Sequence, residues 1–123
     1  MLFRSMQIVA DGGLVDGRRY LSEALLKEAL TPQYEGDTEI FGYMSFGLGF
    51  GLHNHNFPSP TPTSVHWGGS GGFWAMADPT QHVAIAYAMN RGLEPDFSED
   101  ELELMDPRQL RFWDVMSELV PCL

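Results

Sequence analysis

The sequence predicts an α+β domain built on an antiparallel sheet of three or four strands with helices flanking it. Three observations carry this. Residues 82 to 89 alternate strictly, with Val83, Ile85, Tyr87 and Met89 on one side and Ala84, Ala86 and Ala88 on the other, which is the period of a strand. The segments that read as strands follow one another too closely for the crossover that a parallel pair needs. Near the end of the chain Leu110, Trp113, Met116 and Val120 recur at helical spacing and form the apolar side that a sheet face would cover.

Each element has its own signal. Residues 6 to 10 read as the last turns of a helix stopped by Asp11-Gly12-Gly13, and Asp16-Gly17 marks a second turn, so 11 to 17 is expected to be a tight loop. Ser22 is an N-cap with Glu23 in the first turn. Leu21 and Leu26 are spaced as a hydrophobic staple, and Leu25, Leu26, Ala29 and Leu30 give the helix an apolar side before Thr31-Pro32 ends it. Residues 40 to 52 place aromatic or branched residues between Gly42, Gly47, Gly49 and Gly51, and from Phe46 onward the period is two: a strand approached closely on its glycine face. Residues 53 to 63 hold three prolines and form a loop. Strands are expected over 63 to 67, 72 to 77 and 82 to 89, and the alanine side of the last lets a helix lie close. Ser98-Glu99-Asp100-Glu101 and Asp106-Pro107-Arg108-Gln109 fit capping boxes, the second opening the final helix.

Composition excludes several function classes. At 123 residues with 44% hydrophobic and 12% aromatic content, the chain suits one folded domain rather than a disordered tail. Seventeen acidic against 7 basic side chains give a net charge of −10, which repels phosphate backbones and anionic membranes, so no nucleic-acid partner is expected. The acidic run from Glu94 to Asp106 lacks the alternation and central glycine of a calcium loop and reads as a solvated connector. Cys122 is the only cysteine, which excludes an internal disulfide and a cysteine-based zinc site. No apolar stretch is long enough for a transmembrane segment, and the opening MLFRSMQIVA lacks the pattern of a signal peptide. No cofactor is expected.

The stretch His66-Trp67-Gly68-Gly69-Ser70-Gly71-Gly72 is the densest candidate for chemistry. It has neither the glycine order of a dinucleotide turn nor the lysine ending of a triphosphate loop. A flexible connector is one reading. A ligand-facing strand edge is the other, since glycine permits close approach and leaves backbone N–H groups unshielded, and Trp67 and Trp74 flank it.

These residues resemble a family. From Met6 to about Leu119 the chain looks like the C-terminal part of the beta-lactamase-related serine hydrolases, which include class C beta-lactamases, penicillin-binding peptidases and similar esterases. Their third motif, Lys-Thr-Gly on a strand edge, corresponds to His66-Trp67-Gly68, continuing as Gly69-Ser70-Gly71-Gly72-Phe73. Asp11-Gly12-Gly13, Asp16-Gly17-Arg18-Arg19-Tyr20-Leu21-Ser22, Phe46-Gly47-Leu48-Gly49-Phe50, Ala77-Asp78-Pro79 and Ala84 to Arg91 resemble family segments in the same order.

The resemblance implies a C-terminal portion of a beta-lactamase-like fold over 6–120, with 121–123 as a tail. Residues 1–5 are expected to be a non-native leader, since the end of a common sequencing adapter encodes Leu2-Phe3-Arg4-Ser5. It further implies cleavage of a small-molecule ester or amide through an acyl-enzyme. The backbone N–H of Gly69 would be one oxyanion donor, His66 would contact substrate or the proton relay, and Trp67, Gly68 and Ser70 would line the substrate groove.

The nucleophile motif Ser-x-x-Lys is absent, for Lys27 is the only lysine and Ala24 stands three residues before it. The alternatives are a non-catalytic binding or structural domain that keeps the groove, and a metal centre on His53, His55 and His66. Incomplete cover of the sheet implies self-association through its aromatic and alanine faces.

Overall fold

Gly12 decides where the first helix stops. In the computed structural model, which describes residues 2–39, 41–57, 59–69, 72–91 and 107–120, α1 (Leu2–Ala10) ends with Gly12 at φ +64°. The N–H of Gly13 donates to the carbonyl of Ile8 (2.7 Å) and that of Gly12 to Val9 (3.1 Å), the paired bonds of a glycine C-terminal cap. The expected loop after it is a miniature ribbon of β1 (Leu14–Val15) and β2 (Arg18–Arg19), whose two-residue turn has Asp16 at φ +50° and Gly17 at φ +74°. Ser22 caps α2 (Glu23–Ala29) by accepting from the N–H of Leu25 at 3.1 Å, and Leu26 and Ala29 face inward.

The remaining strands form one meander: β3 (Tyr34–Thr38), β4 (Gly42–Phe46), β5 (Gly51–Leu52), β6 (Val65–Gly68), β7 (Trp74–Asp78) and β8 (Val83–Tyr87). Each pairs antiparallel with its predecessor in chain order. The antiparallel reading therefore holds, and the strand count of three or four is corrected to six in this sheet. Two causes account for the difference. β3 is polar and mostly exposed, so it has no inward alternation to reveal it. Of the glycine-spaced run from Phe46 onward, expected to be strand, residues 47 to 50 are instead a turn between β4 and β5: Gly47 N–H donates to the Phe50 carbonyl (2.9 Å) and Gly49 takes φ +82°.

Helices cover both faces. Met6, Val9 and Ala10 of α1, with Leu26 of α2, pack on Leu52, Val65, Ala75 and Ala77, and Ala84 and Ala86 of β8 lie against the same cluster. The alanine side of β8 thus receives a helix closely, as its small side chains allow. On the opposite face Trp74 and Met76 meet Trp113 from α3 (Pro107–Leu119) and Val120 just after it, and Trp74 is only 1% exposed. Burying a side chain of that size contributes about 2–3 kcal/mol. The Trp74 ring lies tilted at 4.9 Å from Trp113 and edge-to-face at 5.4 Å from Phe112. The acidic connector, its capping box and Cys122 lie outside the described residues.

Candidate functional site

β6 carries His66, Trp67 and Gly68 opposite Met76, Ala75 and Trp74 of β7. Strand alternation separates these side chains. Trp67 lies on the same face as Val65, on the α1 and α2 side, whereas His66 turns to the α3 side.

His66 is enclosed. Phe57 stacks on it at 4.8 Å with 24° between the rings, Trp113 meets it edge-on at 5.3 Å, and the imidazole lies over Gly51, where a Cβ would collide with it. Burial lowers its pKa to about 4, helped by the nearby His53 and opposed by a hydrogen bond to the Leu52 carbonyl; Nε2 has no hydrogen-bond partner. The ring is neutral at neutral pH and is walled off from Trp67 and Gly68. It is therefore not gathered with the other candidate substrate-contacting residues.

Trp67 is 48% exposed, and Gly68 is exposed beside it. The Trp67 ring stands 6.0 Å from Phe46, which stacks with Tyr34 at 6.4 Å, so an aromatic row leads to the glycines. Gly69 closes the β6–β7 hairpin. Its N–H donates to the Phe73 carbonyl (3.0 Å), its carbonyl accepts from Gly72 N–H (3.1 Å), and the Phe73 ring lies over it, so that a Cβ at Gly69 would have to push that ring aside. The donor expected to face an oxyanion is thus spent inside the hairpin in this geometry. Ser70 and Gly71 lie outside the described residues.

Asp78 is a polar hub for which the sequence analysis names no role beyond its place in Ala77-Asp78-Pro79. It caps the turn before β8, accepting from the N–H groups of Thr80 (2.8 Å) and Gln81 (3.0 Å). It also accepts from the hydroxyls of Thr61, Thr63 and Ser64, which ties the proline-rich loop to the sheet. Burial alone would raise its pKa, but the bonds from Thr61, Gln81, Thr80 and Ser64 outweigh this and hold the carboxyl below its ordinary value of 3.8. The signal was the run of hydroxyls in Ser59 to Ser64, which has no other reason to sit beside a buried acid. His82 meets the Ala10 carbonyl through Nδ1 (3.2 Å) and so joins the β7–β8 turn to α1.

Among the described residues no group of three or more His, Cys, Asp or Glu side chains could hold a metal ion. His55 packs on Tyr43 at 4.6 Å while His66 is caged, so the three-histidine centre is not assembled. No described helix is long and apolar enough to cross a membrane.

Comparison with known proteins agrees with this architecture. A beta-lactamase family model matches residues 2–107, and the chain belongs to that family. It is similar to a penicillin-binding protein homologue from Caulobacter crescentus, with 33% identity and a TM-score of 0.74 over 94% of this chain and 30% of that one. It is similar also to a family VIII carboxylesterase, with 25% identity and a TM-score of 0.75 over 99% of this chain and 31% of that one. A beta-lactamase from Mycobacterium bovis shares the fold at 22% identity, with a TM-score of 0.53 over 84% of this chain and 38% of the other. The search of curated proteins found no match.

These matches correct the expectation that the resemblance is to a C-terminal portion beginning at Met6. The family match starts at residue 2, inside α1, and likeness to the solved relatives extends over nearly the whole chain. The chain spans 30% and 31% of the length of the first two relatives.

Proposed function

We propose that this chain supplies the glycine-hairpin wall of a hydrolase that cleaves a small ester or amide through an acyl-serine. The observation that carries this reading is the exposed Trp67-Gly68 pair running into Gly69, whose Cα is covered only by the Phe73 ring. Membership of the beta-lactamase family and likeness to a carboxylesterase support the reaction class. In this reading Trp67 and Gly68, with Ser70, contact the substrate. The Gly69 N–H exchanges its bond to Phe73 for the developing oxyanion, and such a donor is worth about 3 kcal/mol of transition-state stabilisation. His66, enclosed by Phe57 and Trp113 behind the strand, has a packing role in this reading and does not touch the substrate. The nucleophile comes from polypeptide beyond these 123 residues, which contain no Ser-x-x-Lys.

A non-catalytic binding domain is the second reading, and the engagement of the Gly69 N–H by Phe73 favours it. Expressing the complete product of the surrounding gene and assaying p-nitrophenyl ester hydrolysis separates the two. Turnover abolished by Ser→Ala at a Ser-x-x-Lys motif supports the hydrolase. A complete product without that motif, or one whose turnover survives its loss, overturns it.

A further inference from the structure

We propose that the cleft between the end of α2, the β3–β4 hairpin and residues 62 to 65 binds a small organic cation, an ammonium group carried on an aliphatic body. The cleft measures about 310 Å³, at the lower end of the range of roughly 300–1,000 Å³ for small-molecule sites. Leu30, Leu52 and Val65, with flanking prolines, give it apolar walls.

Two carboxylates set its potential. Glu35 stands directly opposite Ser45 in the β3–β4 register, and the buried Ser45 hydroxyl donates to Glu35 Oε1 at 3.2 Å. That bond fixes the carboxylate at the cleft and leaves its second oxygen for a ligand. Behind the opposite wall lies Asp78. Each of its donors, the hydroxyls of Thr61, Thr63 and Ser64 and the N–H groups of Thr80 and Gln81, is neutral, so its charge is solvated but not cancelled. Thr63 and Ser64 themselves line the cleft, which places that charge one side chain behind its surface.

Glu35 makes no ion pair among the described residues, and His53 is the only basic side chain on the lining. Low-dielectric walls around charges of one sign focus the field, and the net charge of −10 adds to it. An anion is repelled here, while a neutral apolar guest leaves the Glu35 charge without a partner. An ammonium on an aliphatic body matches both the charge and the walls. The cleft contains none of His66, Trp67, Gly68 or Gly69, so this proposal stands apart from the hydrolase reading.

Titration of the 123-residue protein at low salt with cyclohexylammonium and with cyclohexanol, followed by amide ¹⁵N shifts, tests it. Saturable shifts at Ser45, Thr63 and Val65 are expected with the ammonium, and binding about fivefold weaker or worse with the alcohol. Glu35→Gln, an exposed strand substitution that keeps the side-chain shape, should weaken cyclohexylammonium about fivefold, and salt at about 0.5 M should weaken it too. Absence of shifts at those amides, equal binding to the Glu35→Gln variant, or an alcohol that binds as tightly as the ammonium would each overturn the site.

Discussion

His66 and Asp78 show how two buried titratable groups make the fold sensitive to acid in different ranges. For His66 the folded pKa is about 4 against an ordinary 6.5. Between those values the unfolded chain takes up a proton that the folded chain refuses, so its contribution is complete above pH 6.5 and is lost as pH falls toward 4. A shift of that size corresponds to roughly 3 kcal/mol. Urea midpoints should therefore drop between pH 7 and pH 4.5, and His66→Phe, a flat ring in the same aromatic cage, should remove most of that drop. Asp78 works lower on the scale. Its depressed carboxyl stabilises the fold above 3.8 and stops doing so as pH falls through its native pKa. Asp78→Ala leaves three hydroxyls and two backbone N–H groups without their acceptor and should cost about 3 kcal/mol, read as a lowered unfolding midpoint at pH 7.

Among the elements, glycines at turns divide into those that need only a backbone angle and those that also need space. Gly12 sits at φ +64° with open space around it, so Gly12→Ala should cost about 1 kcal/mol, the penalty of a left-handed alanine. At Gly47 a Cβ would meet the Ala29 carbonyl, the same group that accepts from Leu48 N–H, so Gly47→Ala should cost about 3 kcal/mol and loosen α2 from the β4–β5 turn. Parallel urea titrations of the two variants compare these costs directly.

The same distinction explains what was legible in the sequence. Ser22, Gly12 and the Asp16-Gly17 turn act through bonds to residues a few positions away, so local pattern sufficed. The alternation of β8 was visible because its two faces meet two different helices. β3 was missed because its stability comes from pairing with β4, not from burying a side of its own. The cage around His66 was hidden for a further reason: Phe57, Gly51 and Trp113 reach it from three separate segments, and no spacing records that meeting. The glycine hairpin was recognised, whereas the commitment of the Gly69 N–H to Phe73 depends on a turn geometry that composition does not specify.

At the scale of the molecule, both sheet faces have a helical cover, but it is uneven. The alanine face expected to be open is occupied by α1, while Tyr34, Phe41, Leu48 and Trp67 stay about half exposed. Exposed aromatic surface of this kind favours association. Sedimentation equilibrium should show a mass that rises with concentration, and Trp67→Ser should reduce that rise; a constant monomer mass for the unaltered protein would contradict it.

The meander places neighbours in chain order beside one another, so each hairpin of the sheet can close with little search. α1 is the exception, for it docks on β7 and β8 at the far side of the sequence. During synthesis α1 emerges before β7 and β8 and must wait for those strands before it has a seat. Until then Met6, Val9 and Ala10 offer a sticky stripe to whatever chaperone or neighbouring nascent chain arrives sooner.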